Sequence, residues 1–341
     1  MLVSAAGTHR RESSLDGTPF SEYDSAMTGM RGLFAAVSAI VLFLYGLQGF
    51  SRELQAVGGS ALKQWLGRVT ESRWAGFAVG ALATAIVQSS SAVTSLTAAM
   101  VDASVISFPS SLGVLLGSNV GTTATAWLVS LKLTGIGPVL IVVGALLSAL
   151  PIRASVVGKA VFYFGLIFFA LDLISSELKP LQQQPFFREG LALARSPSLG
   201  VLIGLVFTAV VQSSSVTTGV AILLVQQGLL PAESAVPLVV GANVGSTSTA
   251  LVAGLGMRRA ARATAISNFL FNAAGALLFF PVLQPFARAM INLAGNPSLA
   301  VAWAHLIFNL TIALAFLLTL NWVEPRLRRW LLGSNATARA H

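Results

Sequence analysis

The sequence has no cysteine, only three histidines and three tyrosines, and charged side chains make up 10% of its 341 residues. Without cysteine there is no disulfide framework, no thiol nucleophile and no Cys-ligated zinc or iron–sulfur centre. A soluble domain is about a quarter charged, so charge this sparse excludes a water-facing surface over most of the chain. Residues 1–31 are polar, mixed in charge and without an apolar h-region, which reads as a tail disordered in whole or in part and not a cleavable signal peptide. No solvated basic domain is present either. The net charge of +9 comes from Lys and Arg in short stretches between apolar runs. That is the pattern of cytoplasmic membrane loops, so nucleic acid is not expected as a partner.

What is plentiful is hydrocarbon. Hydrophobic residues make up 55% of the chain and the mean hydropathy is +0.79. The lipid bilayer is then the solvent for most of it, and helices are the element that satisfies its backbone there. Seven apolar runs read as spanning helices: Gly32–Phe50, Ile106–Leu128, the short Ile136–Leu150, Ser155–Ile174, Ala232–Val252, Ala263–Leu283 and Leu299–Val323. Two further runs, Trp74–Val101 and Ser198–Val225, are longer than the roughly 20 residues a plain span needs. Gln88-Ser89-Ser90-Ser91 interrupts one and Gln212-Ser213-Ser214-Ser215 the other. Each reads as two half-helices meeting at a break, a re-entrant hairpin. Irregular backbone at that depth is tolerated only under protein or beside a water-filled cavity.

The two interruptions lie 124 positions apart, and the same offset relates other stretches. Ser51-Arg52-Glu53-Leu54 aligns with Ser175-Ser176-Glu177-Leu178, Gly80 with Gly204, and Thr84–Ser91 with Thr208–Ser215. Gly117-Ser118-Asn119-Val120-Gly121-Thr122-Thr123 aligns with Gly241-Ala242-Asn243-Val244-Gly245-Ser246-Thr247. Close helix packing explains single recurring small residues, but not a glutamine and an asparagine recurring at one spacing in both halves.

The expected fold is an all-α membrane protein with two inverted-topology repeats. Each repeat has a re-entrant helical hairpin and broken helices, giving about seven full spans plus two hairpins. In order, the chain divides into a polar N-terminal tail (1–31), repeat 1 (32–154), repeat 2 (155–283), a final transmembrane helix with its preceding loop (284–323) and a cytoplasmic tail (324–341). The basic stretches around Arg73, Arg153, Arg258 and Arg326 are placed in the cytoplasm, the N-terminus and the Glu177–Pro197 segment outside. The expected location is the cell inner (plasma) membrane.

A helix broken in the membrane leaves free N–H groups at the start of one half-helix, which attract anions, and free C=O groups at the end of the other, which attract cations. The substrate-binding candidates are Gln88, Ser89, Ser90, Ser91, Gln212, Ser213, Ser214 and Ser215, with Asn119 and Asn243. The oxygen-bearing candidates for sodium are Gln88, Ser91, Thr122, Thr123, Gln212, Ser215, Ser246 and Thr247. Matching discontinuous helices in two inverted halves point to a transporter's binding site. The site has no Lys or Arg, so an anion there needs a co-bound cation, and hard Na⁺ suits neutral oxygens. A proton relay would need an intramembrane Asp, Glu or His. Asp102, Asp172 and Glu233 fall near run ends and read as solvated. His305 reads as a helix-packing hydrogen-bonder, and Phe271-Asn272 and Phe308-Asn309 as interhelical contacts. No catalytic residue is expected: a serine nucleophile needs a base in reach, and His305 is the one obvious base.

The doubled Gln-Ser-Ser-Ser followed by Gly-x-Asn-Val-Gly-Thr/Ser resembles the type II sodium–phosphate cotransporter family in its bacterial form, from about Val37 to Val323. The resemblance implies Na⁺-coupled import of inorganic phosphate, with both Gln-Ser-Ser-Ser stretches lining a shared substrate and sodium site and Na⁺ as coupling ion without any other cofactor. Two features depart from the family. Electrogenic animal members carry an acidic residue shortly after the first Asn-Val-Gly, where this chain has Leu131-Lys132-Leu133-Thr134. Some bacterial members carry a C-terminal regulatory domain, which is not expected here. Alternatives are the same scaffold moving another anion and a passive anion channel. A dimer is compatible with this architecture but not derivable from it.

Overall fold

The structure is a computed structural model and describes residues 19–68, 72–131, 133, 135–150 and 153–333. Among these residues every regular element is a helix: α1 (Pro19–Arg68), α2 (Arg73–Val87), α3 (Ser90–Asp102), α4 (Phe108–Gly121), α5 (Thr123–Ser130), α6 (Gly137–Ser148), α7 (Arg153–Leu181), α8 (Pro185–Leu193), α9 (Pro197–Val211), α10 (Ser214–Gln226), α11 (Ala232–Ser246), α12 (Ser248–Gly254), α13 (Arg259–Phe279), a 3₁₀ turn at Phe280–Val282, α14 (Leu283–Ala294) and α15 (Pro297–Leu332). Six stretches among the described residues are long and apolar enough to cross a membrane: Met30–Ala56, Phe108–Ser130, Ser155–Leu181, Ala232–Gly254, Arg259–Ala294 and Pro297–Leu332. The chain is a multi-pass membrane protein.

The expected seventh span, Ile136–Leu150, forms α6. Its 12 residues reach about 18 Å, well short of the roughly 30 Å hydrocarbon core. Two other regions take a definite form. Within the polar tail expected over residues 1–31, α1 begins at Pro19; residues 1–18 lie outside the described residues. The loop expected before the last helix contains α14, which buries Leu283, Ala287 and Met290 on one face. Gly295 in the left-handed region ends α14, and the Asn296 side chain accepts from the Ser298 and Leu299 amides to start α15.

Glycine sets the closest helix contacts, and it does so twice. A Cβ on Gly80 of α2 would collide with the Val114 carbonyl of α4, and one on Gly204 of α9 with the Leu238 carbonyl of α11. Gly117 and Gly121 press on Phe77 and Ala81; Gly241 and Gly245 press on Val201 and Leu205. The Gly117–Phe77 and Gly121–Ala81 contacts advance together along both helices, as do Gly241–Val201 and Gly245–Leu205, so α2 runs parallel to α4, and α9 to α11. The helices between them, α3 and α10, therefore reverse the chain. The Thr208 and Thr217 hydroxyls, nine residues apart across the α9–α10 break, meet at 2.6 Å, as only a folded-back chain allows.

The two ends of the molecule follow from a few contacts. At one end Arg73 donates to Asn321 at 2.8 Å, Asp102 pairs with Arg258 at 3.4 Å, and Ser111 meets Thr264 at 3.1 Å. This end gathers the starts of α2, α4 and α13, the end of α15, and Arg73, Arg258, Arg259, Arg262 and Arg326. At the other end Ser130 donates to the Ser298 carbonyl, Gln226 to that of Val129 and Gln227 to that of Ser175. The Gly135 amide donates to the Asp172 carboxylate there. That end gathers the starts of α9, α11 and α15. The helices α1 and α7 pack antiparallel, with Gly46 against Ile167 and Gly49 against Tyr163.

Candidate substrate and cation site

Each Gln-Ser-Ser-Ser stretch builds one tip. The helix before it ends when the glutamine enters the left-handed region, Gln88 at φ 53° and Gln212 at φ 58°. The next residue is extended, Ser89 at φ −150° and Ser213 at φ −145°, and caps the following helix through its own hydroxyl. Ser89 Oγ accepts the Ala92 amide and Ser213 Oγ the Val216 amide. The first-turn amides of α3 and α10, at Ser90, Ser91, Ser214 and Ser215, point past the caps as helix starts do. The preceding carbonyls lie alongside, so each tip offers partly positive and partly negative backbone within a few residues.

The two tips share one cavity of about 290 Å³, lined by Gln88 and Ser89 from one half, Gln212 and Ser213 from the other, and Leu44, Leu47, Gln48 and Ser51 of α1. Each tip follows a helix of 15 residues. From there the cavity runs along α1 toward Ser51, in the direction of the end rich in arginine. Polar contacts cross between the halves beside it. Ser91 donates to the Ser246 carbonyl at 3.2 Å, and Ser215 lies 3.2 Å from the Thr125 hydroxyl. Thr125 in turn donates to Gln88 Oε1 at 2.7 Å.

The remaining candidates divide. Thr122, Thr123, Ser246 and Thr247 give their hydroxyl protons to carbonyls three or four residues earlier, those of Ser118, Val120, Asn243 and Val244. Their lone pairs remain for another donor or a cation. Asn119 is half-buried on α4 and makes no side-chain hydrogen bond among the described residues. Asn243 is buried in a different setting. His305 Nε2 donates to its Oδ1 at 3.1 Å, its Nδ2 donates to Asn309 Oδ1 at 3.4 Å, and Asn309 donates to the His305 carbonyl at 2.9 Å. That ring joins α11 to α15. Asn272 bonds back to Asn268 within α13. Among the described residues no group of three His, Asp or Glu could hold a metal. Neutral oxygens remain as the cation ligands the site offers.

Thr125 was missed in the sequence. It repeats as Thr249 at the same offset, and that repetition was the available signal. A threonine in an apolar helix ordinarily bonds its own helix, so nothing in its type marked it out.

The sequence model of the family described as Na⁺/Pi-cotransporter matches residues 42–176 and again residues 177–296. The "Putative inorganic phosphate export protein YjbB" of Salmonella typhimurium is 31% identical over 292 residues, covering 84% of this chain and 53% of the relative. The "Uncharacterized protein YqeW" of Bacillus subtilis is 29% identical over 289 residues, covering 84% of this chain and 94% of the relative. The rat "Sodium-dependent phosphate transport protein 2B" is 39% identical over 112 residues, 31% of this chain and 16% of the relative. The chain thus spans about half the length of the export-named relative and nearly all of the Bacillus one. No solved structure matches. With its two successive matches together covering residues 42–296, more than half of its length, the chain belongs to the Na⁺/Pi-cotransporter family.

Proposed function

We propose that this protein is a secondary active transporter that couples Na⁺ to the movement of inorganic phosphate across the cell inner membrane. The observation that carries the reading is the shared cavity: glutamine and serine of both repeated stretches line the same space. Phosphate would sit against the first-turn amides and hydroxyls of Ser90, Ser91, Ser214 and Ser215, with Gln88 and Gln212 beside it. Na⁺ would take the hydroxyl and carbonyl oxygens around Ser91, Ser215 and Ser246 and supply the positive charge the site lacks. The repeats are inverted and their breaks are re-entrant hairpins in this reading. Support comes from the opposite ends at which α2 and α9 begin, the parallel α2–α4 and α9–α11 pairs, and antiparallel α1 and α7. Discontinuous helices meeting at mid-depth are the usual setting for alternating access. With the arginine-rich end in the cytoplasm, the cavity faces inward.

Net import is the direction the family resemblance implies. The relative named for phosphate export favours a second reading, release from the cell. A symporter runs either way with the gradients, so one experiment addresses both. Purified protein in liposomes is given ³²P-phosphate with an imposed Na⁺ gradient of either sign, against K⁺ controls. Faster uptake with inward Na⁺ and faster loss with outward Na⁺ is expected. Equal rates in Na⁺ and K⁺ would remove the coupling, and non-saturable flux that never exceeds equilibrium would indicate a channel.

A further inference from the structure

The two halves carry the same site residues, but only one half has made its side-chain connection. In the connected half Thr125 Oγ1 donates to Gln88 Oε1 at 2.7 Å. That uses its one proton, so Ser215, 3.2 Å away, is the donor to Thr125. Gln88 Nε2 passes the chain on to the Ala85 carbonyl. A serine of the second tip is thus tied to the glutamine of the first through one threonine. The offset of 124 places Thr249, Gln212 and Ser91 in the equivalent roles, and there the chain is open. Ser91 donates to the Ser246 carbonyl instead. Thr249 Oγ1, one helical turn beyond, is buried without a hydrogen-bond partner. Gln212 is exposed to the cavity, and its side chain makes no hydrogen bond among the described residues.

We propose that Thr125 and Thr249 are matched positioning residues for transport, each closing its relay in one of two exchanging states. Buried groups that lack partners in one state gain them in the other. Here Thr125 holds Gln88 and Ser215 while Thr249 waits. In the opposite-facing state Thr249 holds Gln212 and Ser91, and Thr125 is released. Alternation of inverted halves makes these two arrangements images of each other. The inference rests on the transporter reading, but it concerns which way the cavity faces and can be tested without phosphate.

The absence of cysteine gives a clean labelling background. Gln48 is exposed in the cavity, so Gln48→Cys reports its opening. Inverted membrane vesicles holding Gln48→Cys are treated with a membrane-impermeant maleimide. Adding Thr125→Val removes the hydroxyl at nearly constant volume and should lower the ratio of inward- to outward-facing protein about fivefold, the effect of one lost hydrogen bond, and so slow labelling. Adding Thr249→Val to that protein should restore the rate, because both states then lack the bond. Thr125→Ser keeps the hydroxyl and should label as the parent does. Unchanged labelling in Thr125→Val, or no recovery in the double variant, would overturn the proposal; so would slow labelling in Thr125→Ser. Failure of Na⁺-driven phosphate flux with this labelling pattern intact would instead remove the substrate reading alone.

Discussion

The two halves agree in backbone and differ in what their side chains hold. Their tips share φ values, capping serines and glycine contacts position by position. Yet Gln88 is buried and bonded while Gln212 is exposed, and Asn243 is clamped while Asn119 is not. Repeated sequence reproduces local geometry because caps, left-handed turns and glycine packing are short-range. The hydrogen bonds depend on neighbours, and the neighbours are unequal. The helix α15 packs on both α4 and α11, but its polar side chains meet the two asparagines differently. It brings His305 and Asn309 to Asn243, and among the described residues no side chain hydrogen-bonds Asn119.

The equivalence of the scaffolds is open to a severe test. Gly80→Leu and Gly204→Leu each drive a side chain into a backbone carbonyl. Each should cost about 3 kcal/mol or more and strongly reduce folded protein in the membrane, read by size exclusion in detergent. If one variant were tolerated and the other not, the halves would not be packed alike. At the tips, Ser90→Ala and Ser214→Ala should each lower Na⁺-driven phosphate flux by roughly tenfold or more, the effect of one charge-assisted hydrogen bond, with membrane content unchanged. Wild-type kinetics in both would take these serines out of the site.

The asparagines should separate in kind. Asn243→Ala leaves the buried His305 Nε2 and Asn309 Oδ1 without their partner, and should lower thermal stability by about 1–3 kcal/mol. Asn119→Ala has no such partner to orphan and should change stability by less than about 0.5 kcal/mol, while raising the Na⁺ or phosphate concentration for half-maximal flux. Equal stability losses would argue against the asymmetry. The smallest effect belongs to Asp102→Asn. Its pairing with Arg258 is largely exposed, so about 0–1 kcal/mol is at stake, and flux should stay near that of the parent protein.

How much was legible depended on the kind of signal. Polar strings inside apolar runs exposed the breaks at Gln88 and Gln212, since nothing else accounts for such residues at that depth. The run Ile136–Leu150 was already short for a span, and the helix that forms there, α6, has 12 residues. The helices α8 and α14 were invisible to a search for long apolar runs, because each is short and apolar on one side. Glycine recurrence was noticed as repetition, but its meaning, backbone against backbone at Val114 and Leu238, required the partner helix. Asn243 and Asn119 look identical in sequence. Their difference comes from His305, more than sixty residues from Asn243 along the chain.

Glycine would hold φ near +55° without strain, whereas glutamine there raises the energy of the folded chain by about 1–2 kcal/mol. Both tips accept that burden at Gln88 and Gln212. A fold selected only for durability would relax these two corners. Their persistence as glutamine locates, in the same pair of residues, a tension between how firmly the protein stands and what its amide groups are there to do.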